Sequence, residues 1–244
     1  MNYCSCFNFL TTGVIQTEEL CSSSKELTEL IIAESITKLC EALKDDITKS
    51  TILGAMEAYN ETGSTLSIEL ALDQMFYTQL WDSLSTLNSG DREWASKLLG
   101  MRIDLLNILS ILRGVQLGFD TSLLSQLVIP VTHRLKKRLD EAMELDSPLE
   151  VARILMVRPY EKIVNQVREI LEENRSLAEA EHLIEDYFTR ENLRVFMGYP
   201  FHIGTVLAFL NLFYAELRNL KSILIGIDEK VPSSRLRESL VFVR

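Results

Sequence analysis

Two stretches of this chain, MRIDLLNILSILRGV (residues 101–115) and FYAELRNLKSILIGI (residues 213–227), are copies of one another. Leu105, Asn107, Ser110, Ile111, Leu112 and Gly114 recur as Leu217, Asn219, Ser222, Ile223, Leu224 and Gly226, six identities in fifteen positions. Unrelated segments of this length share about one. Each recurs 112 positions further on, and the offset holds well beyond these stretches without a gap. Leu27 meets Leu139, Leu43 meets Leu155 and Glu57 meets Glu169. Glu69, Leu72, Asp73 and Phe76 meet Glu181, Ile184, Glu185 and Phe188. The breaks near Gly90 and Pro200 also fall in register. The expected organisation is therefore a remnant or linker over 1–24 and two repeat units of near-equal length, 25–136 and 137–244. Duplicated units of this size stack on one another or surround a pseudo-axis.

The period within each unit is helical. Leu72, Met75, Phe76, Leu80, Trp81, Leu84 and Leu87 keep i, i+3, i+4 spacing, and Val164, Val167, Ile170 and Leu171 do so on a shorter helix. Residues 98–112 are apolar nearly all round, as in a helix buried on several sides. No run of alternating residues appears, and Gly and Pro are few, so the expected class is all-α. The breaks carry helix-start chemistry. In DSPLE (146–150), Ser147 is placed to cap, Pro148 suits the first helical position, and Glu150 completes a capping box. SSKE (23–26) offers a second box. NSGD (88–91) and GYP (198–200) precede long helices, and Pro130 lies between the two halves.

Several function classes are excluded. The net charge of −10 argues against nucleic acid and anionic lipid as partners and permits a basic protein. Cys4, Cys6, Cys21 and Cys40 all lie in the first forty residues, without C-x-x-C spacing, and read as free thiols of a cytoplasmic protein. The longest apolar run, 203–214, is about half of a membrane-spanning helix. No G-x-x-x-x-G-K-S/T or H-E-x-x-H is present, so neither a nucleotide, a metal nor another cofactor is expected, nor a catalytic site. His133, His182 and His202 are scattered and read as surface or capping residues. Glu181 and Glu185 share a helix face, which suits mutual repulsion or a basic partner.

The positions that stand out are polar ones in apolar helices. Asp104, Asn107, Glu216 and Asn219 sit at equivalent places and should be buried or half-buried, where they need partners. They bridge neighbouring helices or line an inner surface about the pseudo-axis; the repeated pattern favours the bridge. Arg113 faces Ile225 in the other copy and Arg218 faces Leu106. These unmatched charges are the candidates for contacts with a partner.

With the repeat established, STLSIELALDQMFYTQLWDSL, MRIDLLNILSILRGVQLGF and FHIGTVLAFLNLFYAELRNLKSILIGIDEKVPSSRLRESLVFV resemble the C subunit of archaeal-type rotary ATPases and the d subunit of V-type complexes. The resemblance rests on an acid, an Asn and a small residue in order: Asp104, Asn107, Gly114, then Glu216, Asn219, Gly226. Arg218 matches the Arg of that family's RNL segment, and RPYEKI (158–163) its turn around Pro-Tyr. The resemblance implies an all-helical, non-catalytic rotor part with three similar units about a pseudo-threefold axis. It implies a peripheral seat on the cytoplasmic face of the membrane, on the membrane rotor ring of c/K subunits, receiving the central axle of D and F subunits. It also implies a role in coupling ATP turnover to proton or sodium transport. Two departures stand out. Only two units are present, the family's N-terminal one having no counterpart, which leaves an apolar face to be covered by oligomerisation or a partner. Thr205 stands where the family often has Pro. The competing reading is a helical-repeat adaptor or paralogue serving a different protein complex.

Overall fold

The computed structural model describes residues 35–131 and 133–241. Cys4, Cys6, Cys21, the SSKE box and the 1–24 segment lie outside the described residues. Among the described residues every regular element is helical, as the 3.6-residue periodicity requires: eleven α-helices and one 3-10 turn. The chain packs as two compact bodies, Met1–Gln79 and Leu80–Arg244.

The first body holds α1 (Ile36–Ala42), α2 (Asp46–Thr62) and most of α3 (Leu66–Ser83). The starts of α1 and α2 are capped by short polar side chains. Ser35 Oγ accepts from Lys38 N at 3.2 Å, and an Asp45 carboxylate oxygen accepts from Thr48 N at 2.7 Å. The core of this body is small: Cys40, Ile52 and Ile68 are buried, with Leu39, Leu43, Ala55 and Leu72 packed against them and only partly covered.

The second body is organised around α4 (Ser89–Gln116). Asn88 Oδ1 caps it by accepting from Asp91 N at 3.0 Å. Ile103, Ile108, Ile111 and Leu112 have no exposed surface, so α4 is enclosed on several sides, as its all-round apolarity anticipates. After it come α5 (Thr121–Leu127), α6 (Lys136–Met143), α7 (Pro148–Leu155), α8 (Glu161–Glu172), α9 (Leu177–Val195), α10 (Ile203–Asp228) and α11 (Ser233–Ser239). Helices α6, α7 and α9 pack on α4, and α8 packs on α7 and α9, to build the main core, in which Leu139, Val151, Leu155, Val164, Val167 and Ile184 join Leu105, Ile108 and Leu112. At the start of α7, Pro148 stands in the first turn as expected. Ser147 occupies the N-cap position but makes no side-chain capping bond, so the anticipated capping box does not form there.

The two long helices end alike. In α4, Phe119 N donates to Gly114 O at 2.9 Å and Gly118 N to Val115 O at 3.0 Å. In α10, Val231 N donates to Gly226 O at 2.8 Å and Lys230 N to Ile227 O at 3.1 Å. This closure needs one left-handed residue just past the helix. Gly118 supplies it at φ 73°, and Lys230, 112 positions on, supplies it at φ 56°. The following short helix then crosses the long one at a glycine. A Cβ on Gly114 would strike Leu124 of α5, and one on Gly226 would strike Leu236 of α11.

Candidate functional site

The polar residues singled out in the sequence fall into three groups. Asn107 is wholly buried in α4. Its Nδ2 donates to Ile129 O at 3.1 Å, and its Oδ1 accepts from Ile129 N at 2.8 Å. One side chain thus satisfies both backbone groups of a buried loop residue, which would otherwise be left unpaired. Asn219, its counterpart in the second copy, does the same. Its Nδ2 donates to Val241 O at 2.6 Å, and its Oδ1 accepts from Val241 N at 3.0 Å.

Asp104 and Glu216 part company. Asp104 is wholly buried and accepts three hydrogen bonds, from His133 N at 3.1 Å, Arg134 N at 2.9 Å and the Tyr160 hydroxyl at 2.8 Å. Burial pushes its carboxyl above the usual carboxylate range, and the three donors draw it only part of the way back. Burial also raises the Tyr160 hydroxyl, and the neighbouring Asp104 raises it further. Glu216 is exposed, contrary to the burial expected of it. The donors that enclose Asp104 come from segments that follow α4 in the chain and pack back onto it.

The third group is a charge cluster between three helices. Glu185 of α9 receives Arg102 of α4 at 2.8 Å and Arg218 of α10 at 3.1 Å. Arg102 also lies over the Phe188 ring, its guanidinium carbon 5.1 Å from the ring centre. Burial alone would raise Glu185, but the two guanidiniums outweigh it and hold the carboxyl below its usual range. Nearby, Arg113 pairs with Glu181, and Asn211 Nδ2 donates to Asn192 Oδ1 at 2.8 Å. The two glutamates that share a helix face therefore meet their basic partners within this chain. Arg113 and Arg218, the two unmatched charges, are those partners, together with Arg102. Arg102 was not singled out in the sequence, although it shares with Asp104 and Asn107 the signal of a polar residue within a largely apolar stretch. Tyr160 lies in the RPYEKI turn, after a cis Arg158–Pro159 peptide, and nothing in its spacing marks it as the ligand of Asp104.

Neither His133 nor His202 caps a helix through its side chain. His202 stands at the N-cap position of α10, but its ring stacks on Trp94 at 4.2 Å and makes no capping bond. Asp91 of α4 takes that role, its Oδ1 accepting from Ile203 N at 2.8 Å. That bond holds the Asp91 carboxyl below its usual range. His133 is half-buried beside Trp81, and burial lowers its pKa. A cleft of about 510 Å³ is lined by Trp81, Asp82, Leu84, Ser85, Arg92 and Ser96. The Arg92 guanidinium there is engaged by the carbonyls of Leu84, Ser85 and Leu87. Among the described residues no group of three His, Cys, Asp or Glu is placed to hold a metal ion, and no helix is long and apolar enough to cross a membrane. The arrangement is one of fasteners, side chains that tie helices and loops together.

Comparison with known proteins agrees with a structural reading. The sequence model of the ATP synthase (C/AC39) subunit family matches residues 11–239. The chain is similar to the C subunit of the A-type ATP synthase of Methanosphaera stadtmanae, at 25% identity over 87% of this chain and 56% of that protein. It is similar to the corresponding protein of Methanobrevibacter smithii at 22% identity, over 89% of this chain and 57% of that protein. The corresponding protein of Desulfurococcus sp. strain SY is 23% identical over 92% of this chain and 59% of its own length. The chain thus spans little more than half the length of the curated relatives it matches. No solved structure matches it.

Proposed function

The chain belongs to the ATP synthase (C/AC39) subunit family, and from that membership we propose that it is a non-catalytic central-stalk subunit of an A-type or V-type rotary ATPase. In this reading it sits at the cytoplasmic face of the membrane, rests on the rotor ring and seats the axle formed by the D and F subunits. It carries torque between ATP turnover and the movement of protons or sodium ions.

The observation that supports the reading is the recurrence of one set of fasteners at a fixed offset of 112 positions. The Asn107 and Asn219 clamps, the Gly114 and Gly226 crossings, and the left-handed stops at Gly118 and Lys230 each recur at that interval. We read these as two copies of one helical unit, 25–136 and 137–244, as expected of a rotor part built about an axis. Torque transmission calls for a part that does not shear. A helix held to its loop by a buried side chain bonded to both backbone groups, and to its neighbours by a buried ion cluster, meets that need. Asp104, Asn107 and Asn219 are assigned to tying the long helices to the segments packed on them, and Arg113 and Arg218 to the α4–α9 and α9–α10 joins; the exposed Glu216 is assigned no fastening role.

The test is affinity capture of the tagged chain from native membranes. Recovery of rotor-ring and axle subunits, with no ATPase activity from the purified chain alone, is the expected result. Capture that brings down no ATPase subunit refutes the assignment.

A further inference from the structure

Five apolar residues of α4 lie in the main core against α6, α7 and α9: Met101, Leu105, Ile108, Leu112 and Val115. Adding 112 to each number gives Phe213, Leu217, Leu220, Leu224 and Ile227 on α10. All five are apolar, spaced by four, three, four and three positions, so they form one seam along the helix. Yet they are 41%, 44%, 53%, 60% and 66% exposed. Single exposed leucines are ordinary, but an unbroken seam over about 21 Å of helix is an interaction surface.

The first body carries the matching half. On α7, α8 and α9, the residues in the core that includes the α4 seam include Val151, Ala152, Leu155, Val164, Val167, Ala180 and Ile184, none with any exposed surface. Their counterparts 112 positions earlier are Leu39, Cys40, Leu43, Ile52, Ala55, Ile68 and Leu72. These form the small cluster of α1, α2 and α3, where Leu39, Leu43, Ala55 and Leu72 are only half-buried. A long helix bearing the α4 pattern fits such a cluster, because α4 itself sits on the other copy of it.

We propose that the α10 seam of one molecule docks on the α1–α3 cluster of a second copy of this chain, head to tail. The contact repeats between molecules the packing that α4 makes with α7 and α9. It is heterologous, so it closes as a reciprocal pair or continues as an open series. The inference rests on the two-copy reading of the helices and not on the rotor assignment.

The test is sedimentation and light scattering of the full chain across a wide range of concentration. The expected result is self-association that dissociates on dilution and is weakened at least about tenfold by Leu220→Asp with Leu224→Asp. Both side chains are exposed in the single chain, so the helical circular dichroism of the variant should be unchanged. A tagged form of the variant keeps its own α1–α3 cluster and should still capture untagged wild-type chain. Three results overturn the proposal: a monomer at every concentration, wild-type association by the variant, or a variant that captures nothing, which would indicate a seam-to-seam contact. Affinity capture of ATPase subunits is scored separately, so loss of self-association with retained capture removes this inference and leaves the family role standing.

Discussion

Replacing Glu185 with Gln isolates what the buried charge cluster contributes. The change keeps shape and leaves an amide oxygen for Arg102, but removes the carboxylate that the two guanidiniums share. The side chains of Glu185 and Arg102 are 9% and 8% exposed, whereas Arg218 is 34% exposed and partly solvated. Removing one partner of a buried pair costs about 3–5 kcal/mol, because the other charge stays buried. The remaining amide bond and the access of Arg218 to water place Glu185→Gln at the lower end, about 3 kcal/mol. In a body the size of Leu80–Arg244, a loss of about 3 kcal/mol corresponds to a fall in Tm of roughly 6–12 °C. Trp81 and Trp94, the only tryptophans, both lie in this body, so their fluorescence reports its unfolding. The pH dependence adds a second constraint. The Glu185 carboxyl titrates below its ordinary 4.5 in the folded chain. Its contribution is therefore fully present above that ordinary value and lost as pH falls through the folded one. Asp104 has the opposite sign, its carboxyl being raised, but it is common to both proteins and cancels in the difference. The wild-type and Glu185→Gln curves should lie far apart at neutral pH and converge in acid. A loss below about 1 kcal/mol, typical of an exposed pair, or a gap that is unchanged in acid, refutes this account.

Other perturbations test the fasteners one at a time. Asn107→Ala leaves the N–H and C=O of Ile129 unpaired in a buried site and should cost about 2–4 kcal/mol by urea denaturation; Asn219→Ala, where the clamp is half-buried, should cost about 1 kcal/mol. Gly114→Ala drives a methyl into Leu124, which is buried and cannot yield, so a loss of about 1–3 kcal/mol is expected. Gly226→Ala meets Leu236, which is half-exposed and can turn away, so the helix-propensity gain of about 1 kcal/mol should leave it near neutral in the same assay. Lys230→Gly relieves a left-handed non-glycine residue and should raise stability by about 1 kcal/mol. Asp91→Ala removes the acceptor for Ile203 N and should give faster amide exchange at the start of α10, with little change elsewhere.

The all-helical class was legible in the spacing of Leu72, Met75, Phe76 and Leu80, because a helix with a buried face writes its period into the chain. The enclosure of α4 was legible too, since 98–112 carries almost no polar face to present to water. The copy relation of Asn107 and Asn219 pointed to a shared role, and both clamp a segment well beyond the helix, at Ile129 and Val241. What the residues around Arg218 and Arg113 concealed was the identity of their partners. Glu185 and Glu181 lie on a different helix, many turns away along the chain, and no local pattern links charges that far apart. Glu216 shows the same limit in reverse. It is the chemical equivalent of Asp104, yet it is exposed, because burial is conferred by what packs on a side chain and not by the side chain itself. The α10 seam follows the same rule. Its five apolar residues are as hydrophobic as those of α4, and only the tertiary structure decides that one seam is core and the other surface. Sequence alone determined the helices, their two long copies and the residues able to fasten them, since those follow from local period and from repetition. Packing between helices distant in the chain decided which fasteners close, which carboxyl is raised and which lowered, and which apolar face remains open to a partner.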